Sequence, residues 1–267
     1  MLSVCATPIG NLDDITLRVL AELREADVVL AEDTRHTRGL LQRHGIEAKL
    51  VSYHEHNEAA RVEELVPRLI AGERVALVSD AGLPGVSDPG ARLVRAALDA
   101  GVVVSVLPGP SAVETALVAS GLVSERYAFV GFLPRKAGEL AALWEELSPW
   151  RWPVVAFESA QRLPASLRSL ATVSPERDVA VCRELTKQFE EVVRGSADVL
   201  AERFAEPPKG EITLVLGPAV GAEDGGSAEA HAAVRELVAA GTPRKLAVEV
   251  VSRLTDLSRN DLYRESL

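Results

Sequence analysis

Ser79-Asp80-Ala81-Gly82-Leu83-Pro84-Gly85-Val86-Ser87-Asp88-Pro89-Gly90 follows directly on the apolar run Val75-Ala76-Leu77-Val78. Four apolar residues without polar alternation make a strand buried on both faces. Three glycines, two prolines and two aspartates then end regular structure abruptly and expose backbone N–H and C=O groups at one edge of a sheet. In an open α/β sheet that edge is where ligands sit.

The same event recurs. Leu2 to Ala6 runs into Thr7-Pro8-Ile9-Gly10-Asn11, Val28 to Ala31 into a loop from Glu32 to Arg38, and Val102 to Leu107 into Pro108-Gly109-Pro110-Ser111-Ala112. Helical spacing follows several of these breaks, as at Ile15, Val19, Leu20 and Leu23, or at Leu93, Val94, Ala97 and Leu98. Strand, loop, helix, strand is the βαβ pattern, so the reading is a largely parallel sheet with four loops converging on one rim.

A second block starts near Tyr127 with a different rhythm. Strands are expected at Val154 to Phe157, Asp178 to Cys182, Phe189 to Arg194 and Glu211 to Leu216, and helices at Gly138 to Leu147, Leu163 to Leu170 and Ala197 to Phe204. The short connection at Leu185-Thr186-Lys187-Gln188-Phe189 implies a hairpin and hence a mixed sheet. We expect an α/β fold of two domains, 1–122 and 123–217, with a ligand cleft between them. Residues 218–228 read as a linker, and 229–267 as a helical tail resembling a helix-turn-helix, with Ser258 capping its last helix.

Composition limits the function classes. The chain has 267 residues, 47% of them hydrophobic, enough for two cores. No apolar run approaches the roughly 20 residues of a membrane span, and no basic segment leads into a cleavable apolar one, so a cytoplasmic protein is expected. A net charge of −10 and a pI near 5.1 argue against nonspecific coating of nucleic acid, yet leave room for a local basic rim. Cys5 and Cys182 each fall inside an apolar strand, which suits buried thiols in a reducing compartment. His54 and His56 sit too close along one loop to complete a metal site, and no metal is expected.

The motifs taken together resemble a known family. Thr7-Pro8-Ile9-Gly10-Asn11-Leu12-Asp13-Asp14, Glu32-Asp33-Thr34-Arg35-His36-Thr37, Ser79-Asp80-Ala81-Gly82 with Ser87-Asp88-Pro89-Gly90, and Pro108-Gly109-Pro110-Ser111-Ala112 are similar to those of ribosomal RNA small-subunit methyltransferases of type I. Gly131-Phe132-Leu133-Pro134, Phe157-Glu158-Ser159, Arg183-Glu184-Leu185-Thr186-Lys187 and Lys209-Gly210-Glu211 extend the resemblance over nearly the whole chain. It departs at Leu83, where the family usually has threonine, and after Arg135-Lys136, where the family is often more basic.

The resemblance implies the tetrapyrrole methylase fold, S-adenosyl-L-methionine as cofactor in the interdomain cleft, and a homodimer. It also implies 2'-O-methylation of a cytidine in small-subunit ribosomal RNA, as naked RNA or in the assembled subunit. By it we assign cofactor binding to Pro8, Ile9, Gly10, Asp80, Ala81, Gly82, Leu83, Val86, Ser87, Ser111, Ala112, Val113, Phe157, Cys182 and Ile212. Asp33 and Glu158, carboxylates at strand ends, are the candidate bases for the hydroxyl proton, with Glu32 and Asp80 as substitutes; capping a helix is the competing role. Arg35, His36, Arg38, Lys136, Arg162, Arg183 and Lys187, in or beside rim loops, are the expected RNA contacts, with internal ion pairing as the alternative. Relatives acting on tetrapyrroles share the cofactor loops, so a small-molecule acceptor stays open. A noncatalytic nucleic-acid binder using the tail would need no cleft.

Overall fold

The computed structural model describes residues 1–219, 222–255 and 257–264. Its first half alternates β1 (Leu2–Cys5), α1 (Leu17–Glu25), β2 (Val28–Ala31), α2 (Thr34–Arg43), β3 (Leu50–Ser52), α3 (Glu58–Ile70), β4 (Val75–Val78), α4 (Ala91–Asp99), β5 (Val104–Leu107) and α5 (Ala112–Ser120). The strands form one parallel sheet in the order β3-β2-β4-β1-β5. Every residue of β1, β2 and β4 is buried, because helices cover both faces.

Parallel strands all end on the same edge, so the loops after β1, β2, β4 and β5 do share one rim. The segment expected as a loop from Glu32 to Arg38 is instead mostly the first turns of α2, entered at Asp33, whose carboxylate accepts from the Arg35 N–H at 2.8 Å. Capping satisfies an otherwise orphaned donor, and an aspartate directly after a strand is well placed to supply it.

The second half runs β6 (Ala128–Phe132), α6 (Ala137–Leu147), β7 (Val154–Ser159), α7 (Leu163–Val173), β8 (Asp178–Arg183), β9 (Glu191–Ser196), α8 (Ala197–Arg203) and β10 (Glu211–Leu216). The sheet order is β6-β7-β10-β8-β9, with β6 parallel to β7 and the other pairs antiparallel, so the sheet is mixed. Alternation along β7 divides its side chains. Val154 and Ala156 pack among α6, α7 and α8, whereas Val155 and Phe157 face the opposite way.

That opposite face is covered by α5. Its Val113, Ala116 and Leu117 pack on Val155, Ala180, Cys182 and Val215, so the last helix of the first half closes the core of the second. Burying a leucine such as Leu117 contributes about 1.5–3 kcal/mol. The chain boundary expected at 122/123 lies just beyond this helix, past the left-handed Gly121 at φ 76° that terminates it.

Among the described residues, α9 (Ala222–Ala239), α10 (Arg244–Thr255) and α11 (Arg259–Arg264) follow. They share a small core of Val234, Ala247, Val248, Val251 and Leu262. Ser258 accepts from the Asn260 N–H at 3.2 Å at the start of α11. Helix α9 begins inside the stretch expected as a linker, most of which is therefore helical. Positions 220, 221, 256 and 265–267, within the expected linker and tail, lie outside the described residues.

Arg177 is 1% exposed and faces carbonyls in place of a carboxylate. It donates to Gly217 O at 2.9 Å, Leu147 O at 2.5 Å and Trp150 O at 3.4 Å, tying the end of α6 to the end of β10. Burial lowers its pKa to about 10, which still leaves it protonated at neutral pH. Arg177→Ala should therefore lower the urea midpoint sharply, since each orphaned buried acceptor costs about 1–3 kcal/mol. An unchanged midpoint would show that water replaces the guanidinium.

Candidate active site

A cleft of about 800 Å³ opens between the rim of the first sheet and the uncovered part of the second. One wall is the loop after β4, from Asp80 to Asp88. It is clamped to the loop after β1 by a reciprocal backbone pair, Thr7 N to Gly82 O at 2.8 Å and Gly82 N to Thr7 O at 3.0 Å. The Thr7 hydroxyl adds a bond to Ser79 O at 3.0 Å. Gly82 takes φ 74° to make this pairing, a conformation that disfavours a side chain. Gly85 at φ 85° and Ser87 at φ 62° lie in the same loop, so three of its residues hold left-handed backbone.

The second wall is Pro108 to Glu114, ending in the first turn of α5, whose N–H groups have no partner within the helix. The floor is apolar: Ile9, Val113, Cys182 and Ile212, each no more than 7% exposed. Phe129, Phe132 and Phe157 form an aromatic side, Phe157 meeting the other two edge-to-face at centroid distances of 4.9 and 5.3 Å. Burial pushes the Cys182 thiol up to about 12, so it lines the floor as an apolar group.

The charges in the lining are all of one sign. Glu32, Asp80, Asp88, Glu114, Glu158 and Glu211 reach it, and no described lysine, arginine or histidine does. Glu32, Asp80 and Asp88 cluster at the end of the parallel sheet. Burial, then the nearby Glu32, raises Asp88 to about 6, and burial together with Asp80 raises Glu32. Asp80 also receives the Asp33 backbone N–H at 3.0 Å, linking the β4 and β2 loops. Glu114 is held low by the Ser111 hydroxyl and receives the Tyr127 hydroxyl at 2.7 Å.

Thirteen of the fifteen assigned cofactor residues line this cleft, Pro8 and Gly10 being the exceptions. Gly10 faces the other half of the chain: a Cβ there would lie 2.8 Å from Leu185 O and 2.7 Å from Thr186 Oγ1. Its role is close approach between the two halves, sealed by Asn11 N to Thr186 Oγ1 at 3.0 Å.

The two first-choice bases sit in different surroundings. Asp33 does not line the cleft; as the α2 cap it binds the Arg35 side chain, which with the Arg35 N–H lowers its pKa to about 2 and leaves it little proton affinity. Glu158 lines the cleft and is bonded to Arg162, to the Ser166 hydroxyl and to the Ser159 N–H at 2.7 Å. The substitutes Glu32 and Asp80 do line it, as does Asp88, whose motif in the sequence reads as turn chemistry alone.

The expected RNA residues divide by exposure. Arg35, His36, Arg38 and Lys136 are exposed on the rim; Arg35 and Lys136 pair with Asp33 and Glu139, exposed pairs that contribute about 0–1 kcal/mol and yield readily to phosphate. Arg162, Arg183 and Lys187 are half-buried and bound to neighbouring groups of the protein. Arg162 donates to Leu133 O and Pro134 O, both at 3.1 Å, Arg183 pairs with Glu191, and Lys187 bridges Glu184 and Glu211. Their donors are spent on holding loops.

Two α/β sheets joined by a helix from one onto the other, with an acid-lined cleft between, make a two-domain α/β frame built around a small-molecule site. Residues 1–201 match the family of tetrapyrrole (corrin/porphyrin) methylases, and the chain belongs to it. Two solved structures share the fold: a uroporphyrin-III-C-methyltransferase of Thermus thermophilus (TM-score 0.60, 24% identity, 82% of this chain and 95% of that one) and the methyltransferase CobJ (0.62, 19%, 82% and 94%). Within the family, the chain is 44% identical to "Ribosomal RNA small subunit methyltransferase I" of Mesorhizobium japonicum, over 100% of this chain and 91% of that one. It is 40% identical to the protein of the same name from Streptococcus pyogenes, over 99% and 93%.

If Asp33 caps a helix, Asp33→Ala should lower the melting temperature yet reduce turnover less than tenfold, against the roughly 100- to 10,000-fold of a lost base. Asp33→Asn should restore the melting temperature. A base-sized loss of turnover in Asp33→Asn would reinstate Asp33 as the base.

Proposed function

We propose that the chain transfers a methyl group from S-adenosyl-L-methionine to the 2'-hydroxyl of a cytidine ribose in small-subunit ribosomal RNA. The observation that carries this reading is the sign of charge in and around the cleft, taken with the likeness to enzymes named for that RNA. The donor bears a sulfonium and an ammonium against one carboxylate, a net charge of about +1 at neutral pH. A cleft lined by carboxylates without a cation fits such a molecule, and the apolar floor fits its adenine.

Asp80 to Leu83, Val86, Ser87 and Ser111 to Val113 would hold the donor, with Ile9, Phe157, Cys182 and Ile212 beneath it. When bound, the donor supplies an electrophilic methyl carbon. The protein's largest contribution is placement, since holding an acceptor hydroxyl in attack geometry is equivalent to about 7–11 kcal/mol. Asp88 is our candidate for taking the hydroxyl proton: it reaches the cleft and is raised to about 6, near the working pH, with Glu32 beside it.

An acid-lined cleft disfavours the alternative, a tetrapyrrole carrying several carboxylates. RNA is also an anion, but its phosphates need not enter. Arg35, His36, Arg38 and Lys136 wait on the rim, so a ribose and base can go in while phosphates stay outside. The proposal includes action in the cytoplasm and a homodimer, which would cover the exposed valines Val103, Val106 and Val118.

Incubating the protein with labelled donor and either unmodified small subunits or tetrapyrrole acceptors tests the reading. Label should appear on a cytidine ribose, and apparent RNA affinity should fall steeply as salt rises. Label only on a tetrapyrrole would sink the assignment.

Asp88 gives a second expectation. Its carboxyl is neutral below about pH 6 and ionised above, so kcat/KM should rise through that pH. Asp88→Asn should remove this limb and cost about 100-fold or more. Because the folded state resists ionising Asp88, its stability cost grows as pH climbs from the unfolded carboxylate range through about 6. Asp88→Asn should therefore melt higher than the parent at pH 8; a lower melting temperature with unchanged turnover would refute both roles.

A further inference from the structure

Phe132 is 61% exposed, yet it lines the cleft. Its neighbours explain how a large apolar ring comes to face solvent. The register of β6 against β7 shifts between Phe129 and Phe132, and Gly131 within that shift has φ 70°. Such a bulge re-aims the next side chain. Phe132 therefore stands at the cleft mouth, edge-to-face with Phe157 behind it.

The chain after Phe132 is fastened. Leu133 N donates to Phe157 O at 3.0 Å, and Arg162 holds the carbonyls of Leu133 and Pro134 while its charge is met by buried Glu158. Arg162, anchored by buried Glu158, holds two loop carbonyls and fixes where this segment sits. Immediately beyond it come Arg135 and Lys136, both exposed, and Arg135 has no ion-pair partner among the described residues.

A rigidly held aromatic face at the mouth of an acidic cleft, with cations just outside, matches single-stranded nucleic acid. Bases stack on aromatic rings while phosphates meet basic side chains. The floor, not Phe132, is where the donor's adenine fits, because Ile9, Val113, Cys182 and Ile212 are buried and Phe132 is at the opening. Resting on the function proposed above, we infer that Phe132 is the stacking platform for the acceptor nucleobase, that Arg135 meets an adjoining phosphate, and that Glu158 and Arg162 are positioning residues for that platform.

The test compares Phe132→Ala and Phe132→Trp with the parent, using small subunits as acceptor and calorimetry for the donor. Phe132→Ala should lower kcat/KM for RNA roughly 5- to 150-fold, largely through KM, with donor affinity unchanged, since stacking on an aromatic side chain has about that worth per base. Phe132→Trp should restore the efficiency, and its indole fluorescence should be quenched when the RNA binds. Full RNA efficiency in Phe132→Ala would overturn the platform alone, as would a loss of donor affinity matching the loss of turnover. A parent enzyme that labels no RNA would overturn the function itself and the platform with it.

Discussion

The Thr7–Gly82 backbone pair is the contact on which the site depends. It joins two loops that follow adjacent parallel strands, β1 and β4, and it leaves the residues from Asp80 to Asp88 facing the second sheet. Parallel strands bring their loops to one edge, but an edge is only a location. Turning those loops into a wall takes a bond between them, and the geometry of that bond requires a residue tolerant of φ 74° at position 82.

The opposite wall depends on α5. Its apolar residues pack on β7, β8 and β10, so the two sheets meet through a shared core, with no bare interdomain surface between them. Its N-terminal turn lies in the cleft while its body is buried in the other half of the chain. The Gly10 contact with Leu185 and Thr186 fastens the same junction from the other side, where Glu184 and Thr186 both take left-handed backbone. A ligand in the cleft would therefore touch a surface set by packing on both sides.

Charge is arranged by depth. Carboxylates line the cleft, exposed cations stand outside, and several arginines and lysines between them act as struts. The Glu158–Arg162 pair illustrates how a half-buried pair is used: buried Glu158 holds Arg162, and Arg162 satisfies the carbonyls of Leu133 and Pro134 just past the end of β6. The overall charge of −10 describes none of this, since what a ligand meets is set by local position.

Local rules were enough for the strands and for most of the cleft lining. Buried parallel strands announce themselves as unbroken apolar runs, so β2 and β4 are legible to the residue, and the glycine- and proline-rich breaks after β1, β4 and β5 mark where backbone becomes free to meet a ligand. The sequence determined the α/β class, the mixed second sheet and the family resemblance. Tertiary structure decided what each charged side chain does. Asp33, Glu158 and Asp88 are all carboxylates beside a strand end or turn, and only their surroundings make one a cap, one a strut and one a group raised to about 6. It likewise decided that Gly10 serves the junction and that Phe132 faces outward. Gly10 meets Leu185 and Thr186 from the other half of the chain, and Asp88 meets Glu32 from a different strand end, so no short stretch of sequence carries those contacts.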